Sequence, residues 1–448
     1  MNPILRIIVL FVVCHAGTGC KRANPPGNES DSRPAGIMMS VGTEHAAEEP
    51  GTQASSESVA GETIDRGIAV RQTAASDMAA VDDKPNSADS AQSATQSADT
   101  VPALLKRLRE LRTEHSVDDP SLTQQRQREC SQEIVRLSAQ VLRRTVDVPE
   151  LREQFLEGVE QLLEARLKLA VSGTREDMDL LYADVEALNA RTPGSAEAAE
   201  GQYYLARFAH LKARREPEKP RWFEDFARRA RQFADQFPQQ EDRCVALLFG
   251  AGRSCELHSL ASDSDPDAAR LMTEAKLCYA ALSEDFSATP EGAEAAAVLR
   301  RLDLPGKRLT QFAGPTLDGG YVSTEELQNK VTVIYFWESK NQEFRNGLLP
   351  LLKQAEEVSA NRVRYIGVCL DAEESVVSDF VRQQSPPGSQ IYFTDSGQRG
   401  WNNPVVRFWG VSRVPLVWLV RTDGVVHAVD VRYDHLVRRM REMFVSAE

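Results

Sequence analysis

The pattern of apolar residues changes once along this chain, near Pro305-Gly306, and that change limits the folds open to it. Before this point the apolar residues recur at helical spacing, and strand-like alternation is absent. Beyond it, short β-branched runs alternate with helical segments. At 448 residues the chain is too long for one core. The sequence therefore predicts an α-helical region over 100–304 and an α/β domain over 306–448.

The N-terminus has the features of an export signal. Arg6 supplies a positive charge, and residues 7–13 form an apolar run far shorter than the ~20 residues that span a bilayer. Gly19-Cys20 resembles a lipobox, although Gly17 stands where leucine is usual. We therefore predict a signal peptide over 1–19 and a lipid anchor on Cys20. Ordinary cleavage after Ala16, which would leave a soluble exported protein, remains the alternative.

Residues 20–99 are rich in Ser, Ala, Asp, Glu, Gly and Pro and almost free of aromatic residues. Such a segment buries too little apolar surface to offset its chain entropy, so we predict a disordered tether. The net charge of the whole chain is −13. An acidic protein repels phosphate, so nucleic acid is excluded as a general partner.

The helical region carries a weak internal repeat. Thr192-Pro193, Phe237-Pro238 and Phe286 with Pro290 each precede a helical segment, and their starts are 45 and 49 residues apart. This pattern resembles tetratricopeptide-type helical hairpins, and an irregular helical bundle is the alternative. Stacked hairpins build a groove, which favours contact with another protein over catalysis.

The α/β domain is predicted to begin with a hairpin that turns at residues 317–320. Strands at 331–336 and 363–369, helices at 348–359 and 372–384, and a hairpin of strands 416–420 and 425–431 follow, before a closing helix at 434–444. Asp371 is expected to cap the helix at 372–384. His427 and Asp430 are expected to form a surface pair.

Two segments of this domain resemble a known family. Residues 335–345 and 410–420 resemble the TlpA/ResA-type thiol-disulfide reductases and, more loosely, the redoxins. In that family the first strand leads into F-W-x-x-W-C-x-x-C-R. Aligned on Phe336-Trp337 and Arg345, the two cysteine positions fall on Asn341 and Phe344. The resemblance implies a thioredoxin-like fold without the catalytic dithiol.

The resemblance also implies a peptide-binding edge. Pro415 matches the family's cis-proline, which places the backbone of Val414 beside the active-site loop, where relatives pair with an extended substrate. Alternatively, Pro415 serves folding alone. Trp337, together with Trp401 and Trp409, is either a rim for such a peptide or part of the core.

The cysteines offer no replacement for the dithiol. Beyond Cys14 and Cys20 there are five, and the chain contains no C-x-x-C. Cys244 and Cys255 are expected to be buried in a helix, with a bridge to Cys278 as the alternative. Cys369 is expected to be a buried thiol at the end of a strand. Neither histidine spacing nor glycine-rich motifs indicate a metal or a cofactor.

These features favour an exported, membrane-tethered protein on the periplasmic side of a bacterial membrane, which binds an envelope protein or peptide and is not an enzyme. The first alternative is an oxidoreductase or redoxin-type antioxidant that uses Cys369 or Cys255. The second is an assembly or chaperone-like scaffold in which the helical repeats dominate.

Overall fold

The structure is a computed structural model that describes residues 100–114, 123–262, 264–327, 329–359 and 362–445. The predicted signal peptide, the tether and Cys20 lie outside these residues. No helix within the described ranges is both long enough and apolar enough to cross a membrane.

The first part of the described chain is helical. Its helices are α1 (Val101–Glu114), α2 (Gln124–Thr145), α3 (Arg152–Ser172), α4 (Arg175–Arg191), α5 (Ala196–Arg215), α6 (Arg221–Gln236), α7 (Glu241–Ala261), α8 (Asp265–Asp285) and α9 (Pro290–Leu302). Successive helices pack against each other, and α6 also packs against α8.

The amphipathic sequence of α6 explains this packing. Phe223, Phe226, Ala230 and Phe233 recur every three or four residues and are buried, so one face of the helix joins the core. Phe237 ends the helix and is itself buried in the same cluster. The predicted proline steps thus lie in the turns between paired helices.

Arginine–carboxylate pairs connect most of these helices to the next but one. The partners are 43 to 49 residues apart, in agreement with the predicted repeat interval. The pairs are Arg109–Glu157, Arg128–Asp177, Arg152–Glu197, Arg207–Glu164, Arg243–Glu200, Arg270–Glu224 and Arg301–Glu256. The repeat is weak in the pattern of apolar residues, but the regular spacing of these charged pairs shows it clearly.

The second part is an α/β domain. Its strands are β1 (Gly314–Pro315), β2 (Tyr321–Val322), β3 (Val331–Trp337), β4 (Val363–Cys369), β5 (Ser389–Ile391), β6 (Leu416–Val420) and β7 (Val426–Ala428). Its helices are α10 (Leu349–Ser359), α11 (Glu374–Gln384), α12 (Pro404–Phe408) and α13 (Leu436–Val445), and a π-helical turn (Phe344–Leu348) precedes α10.

The main sheet has the strand order β5-β4-β3-β6-β7. Strands β3, β4 and β5 are parallel, whereas β6 is antiparallel to β3, and β7 to β6. Every residue of β3 is buried, and its side chains alternate between two apolar clusters on opposite faces of the sheet. This arrangement is thioredoxin-like, and the predicted fold class, helical hairpins followed by an α/β thioredoxin-like domain, is confirmed.

Candidate functional site

The candidate site lies where β3 ends, beside the bond between Val414 and Pro415. That peptide bond is cis, as the resemblance implied. The Asn341 side chain bridges the two segments: its Nδ2 donates to the Val414 carbonyl oxygen at 3.1 Å, and its Oδ1 accepts from the Phe344 backbone N–H at 2.8 Å. Asn341 thus caps the helical turn that follows. It also hydrogen-bonds to a backbone carbonyl of the edge that was predicted to bind a peptide.

Phe344 is a core residue. It is 0% exposed, and its ring lies 5.1 Å from that of Trp337 and 6.1 Å from those of Tyr335 and Phe380, between centroids. These rings cover one face of the sheet where β3 ends. An apolar ring at this place stabilises the fold and provides no redox chemistry.

Of the two alternatives predicted for Trp337, a rim for a peptide and a core residue, the structure places its ring in the core. Trp337 is 0% exposed, and its Nε1 donates to the Gln390 Oε1 at 3.0 Å. Trp337 lies on β3, whose two faces are both covered, so its ring is packed inside the domain. Trp409 is also buried, whereas Trp401 is 45% exposed and is the tryptophan of this domain that a partner could reach.

Asp371 does not cap a helix, which corrects the prediction that it caps the helix at 372–384. Helix α11 begins at Glu374, and Asp371 instead accepts hydrogen bonds from the Ser339 backbone N–H at 2.8 Å and the Ser339 Oγ at 3.0 Å. The buried Ser339 needs a partner for these donors, and the loop after β4 supplies it. The loops after β3 and β4 are thereby joined.

Cys369 is buried, as predicted. It is 1% exposed, and burial, together with the neighbouring carboxylate of Asp371, raises the pKa of its thiol well above the usual range. A thiol that stays protonated is a poor nucleophile. The geometry around Cys369 therefore opposes a redox role.

The cysteines of the helical region resemble Cys369. No disulfide joins any of the five cysteines that the structure describes, so the bridge to Cys278 is not formed. Cys244, Cys255 and Cys278 are 0% exposed. Burial raises the pKa of Cys244 and of Cys278 to about 11, and raises that of Cys255 further. Only Cys130 among the described cysteines is partly exposed.

Asp430 is not a surface residue, which corrects the prediction that it forms a surface pair with His427. It is 4% exposed and pairs with Arg301 of α9, while the Trp418 Nε1 donates to it at 3.3 Å. Its neighbour in the sequence, His427, is therefore not its partner. No group of metal-ligating side chains occurs within the described residues.

A cleft of about 810 Å³ lies between α4, α6 and α8, and no sequence pattern predicted it. Charged side chains line it, with Tyr182 and Trp222 among them. The guanidinium of Arg221 lies 4.9 Å from the centroid of the Trp222 ring. The spacing of helices one repeat apart creates this cleft, and only a correct pairing of the repeats could have predicted it.

Comparison with known proteins concerns the α/β domain. The sequence model described as the AhpC/TSA family matches residues 305–428, less than a third of the chain. No curated protein matches.

Three solved structures of bacterial oxidoreductases are similar to part of the chain. The thioredoxin domain of a thiol-disulfide oxidoreductase from Bacteroides vulgatus is 20% identical, with 31% of this chain and 96% of that one covered and a TM-score of 0.28. A thiol-disulfide oxidoreductase from Bacteroides fragilis is 19% identical, with 30% and 98% covered and a TM-score of 0.27.

A secreted Mycobacterium tuberculosis disulfide oxidoreductase homologous to E. coli DsbE is 22% identical, with 30% and 96% covered and a TM-score of 0.25. The C-terminal part of the chain is thus a thioredoxin-like domain by its strand order, and over residues 305–428 it matches the AhpC/TSA family.

Proposed function

We propose that this protein is exported, is anchored through Cys20, and binds a protein partner in the cell envelope without thiol-disulfide chemistry. The observation that carries the proposal is the pair Asn341 and Phe344 at the family's cysteine positions. One caps a helical turn and the other fills the core. Both residues have structural tasks, which supports a thioredoxin-like scaffold that has lost its dithiol.

The N-terminal sequence supports the location. A positive charge, a short apolar run and Gly19-Cys20 precede a long polar segment. Lipid on Cys20 would hold the protein at a membrane, with the segment 21–99 as spacer.

The cleft between α4, α6 and α8 is the main partner surface in this proposal. Its lining includes arginine and aromatic side chains, which are enriched in protein interfaces, together with carboxylates. The edge at Val414 is a lesser candidate, because Asn341 already donates to its carbonyl oxygen.

Insulin-disulfide reduction by the full-length protein tests the loss of chemistry. We expect no rate above that of the dithiol reductant alone, with an active thioredoxin as the positive control. Reduction well above background that disappears in Cys369→Ser would overturn the proposal in favour of a redoxin-type activity at that cysteine.

Thiol labelling of the native protein gives an independent test. Cys130 should react first, and the four buried cysteines should react only when the protein opens. A buried cysteine that reacts faster than free cysteine would contradict a purely binding role.

Crosslinking in envelope fractions tests the partner surface. Arg221→Glu reverses a charge at the cleft, and Arg382→Glu makes the same change on the exposed face of α11. We expect the first variant alone to lose its crosslinked product. Cys20→Ala should move the protein from the membrane to the soluble fraction, and equal loss in both arginine variants would place the partner elsewhere.

A further inference from the structure

The last helix of the repeats has two buried faces. Ala295, Val298 and Leu302 pack into the helical core. Ala297 and Arg301 lie four residues apart, hence on one side of the helix, and are 7% and 1% exposed. A terminal helix of a repeat protein normally turns a polar face to water. This one is covered on its outer side by the thioredoxin-like domain.

Arg301 joins the two parts of the protein. Its Nη2 donates to Glu256 of α7 at 2.6 Å, and its Nη1 donates to Asp430 of the thioredoxin-like domain. Both acids are almost fully buried, and the Tyr279 hydroxyl donates to the second oxygen of Glu256 at 2.8 Å. The Arg301–Glu256 pair is the last of the arginine–carboxylate pairs between successive repeats. Asp430 adds a second carboxylate partner for Arg301, and it comes from the thioredoxin-like domain.

The backbones also approach closely at this interface. Gly410 has a φ of +57°, and a Cβ built there would lie 2.4 Å from the Val298 backbone N. Beside it, the Arg300 guanidinium lies 4.1 Å from the centroid of the Phe408 ring and donates to the Phe408 carbonyl. Only glycine allows α9 this close to the segment that follows α12.

We propose that the thioredoxin-like domain is the C-terminal cap of the helical repeats. Its face made by α12, Gly410 and Asp430 is an interface whose partner is the last helix of the same chain. The role of a cap requires the fold of this domain but requires no cysteine. This inference stands on the interface alone, and it can fail while the proposed function holds.

The tryptophans allow a test in the full-length protein. Trp222 is the one tryptophan before residue 304 in the sequence, and the other four lie in the thioredoxin-like domain. In a Trp222→Phe background, fluorescence reports on that domain, while far-ultraviolet circular dichroism reports chiefly on the helical region. If the domain is a cap, the two signals should change at one urea concentration. Separate transitions in this protein would overturn the proposal.

Gly410→Ala should separate the two transitions. The matched control is Gly319→Ala, because Gly319 also has a positive φ, +85°, but a Cβ there meets nothing within 4 Å. In both variants the alanine is strained by the positive φ, but only the Cβ at position 410 collides with α9. An equal effect of the two variants would show that strain alone is responsible and would refute the cap.

A double-mutant cycle of Asp430→Asn and Arg301→Met measures the bond across the interface. Removing one partner of a buried ion pair should raise the unfolding equilibrium constant roughly 100-fold or more, and the double variant should raise it by less than the product of the two single effects. The control cycle uses the exposed pair Asp379 and Arg382. Independent, additive effects of Asp430→Asn and Arg301→Met would contradict the proposal.

Discussion

The helical region and the thioredoxin-like domain use polar side chains in different ways. In the helical region, most charged partners lie at the surface and connect neighbouring repeats, and an open cleft remains between α4, α6 and α8. In the thioredoxin-like domain, Asn341 and Asp371 turn inward and hydrogen-bond other loops. The first part therefore joins its repeats through pairs of opposite charge, and the second joins its loops through hydrogen bonds of inward-facing polar side chains.

The largest expected effect is in the thioredoxin-like domain. Phe344→Ala removes a fully buried ring, and the cavity should lower the free energy of unfolding by ~3–5 kcal/mol. Urea unfolding followed by tryptophan fluorescence measures it. Val358→Ala in α10, at a side chain that is 75% exposed, is the control and should change stability by less than ~0.5 kcal/mol. Similar effects of the two variants would mean that Phe344 is no core residue.

The next effect is in the helical region and depends on pH. His210 stacks on Phe226, and burial, with Arg214 and Arg207 nearby, lowers its pKa from 6.5 to about 4. The folded state thus prefers the neutral imidazole. Its contribution is fully present above pH 6.5, and it is lost as the pH falls through 6.5 to below 4, by about 3 kcal/mol at most.

Unfolding of the wild type and of His210→Phe between pH 7.5 and 3.5 measures this contribution as a difference. The phenylalanine keeps an aromatic ring against Phe226 and cannot take up a proton. The stability of the wild type should therefore fall more steeply with acid than that of the variant. Parallel curves would show that His210 keeps an ordinary pKa in the folded protein.

A smaller effect separates the two bonds of Asn341. Asn341→Ala removes the cap on Phe344 and the bond to Val414, and should cost ~1 kcal/mol. Asn341→Asp keeps the acceptor for the Phe344 N–H and loses the donor to the Val414 carbonyl. Urea unfolding that places the aspartate variant near the wild type would assign the stabilisation to the cap.

The smallest effect is expected at an exposed ion pair. Asp379 and Arg382 lie on the surface of α11, with side chains 57% and 75% exposed, so Arg382→Ala should change stability by less than ~0.5 kcal/mol. Thermal unfolding is sufficient to check this. A larger loss would show that an exposed ion pair also stabilises the thioredoxin-like domain, whereas the comparison of the two regions predicts that inward-facing polar side chains do so.

Local patterns of sequence predicted much of this fold. The strand at 363–369 was placed as observed, because a run of β-branched and apolar residues has few alternatives in a buried sheet. The start of α4 also depends on a local pattern, because Thr174 and Asp177 form a capping box there. Both features depend on residues close together in the chain.

The errors concern residues whose partners are distant in the chain. Asp371 was assigned to the helix that follows it, yet it bonds Ser339 in another loop. Asp430 was assigned to a nearby histidine, yet it pairs with Arg301, 129 residues away. A carboxylate can satisfy several kinds of donor, so its position in the sequence does not decide among them. The cleft was missed for the same reason.

The direction of the arginine–carboxylate pairs changes along the helical region. Arg109, Arg128 and Arg152 each pair with a carboxylate of a later helix, whereas Arg207, Arg243, Arg270 and Arg301 each pair with one of an earlier helix. Helix pairs from the two ends of this region therefore present different charges to their neighbours, and an exchange of their positions would leave charges without partners. This asymmetry favours one stacking order of the repeats over its alternatives.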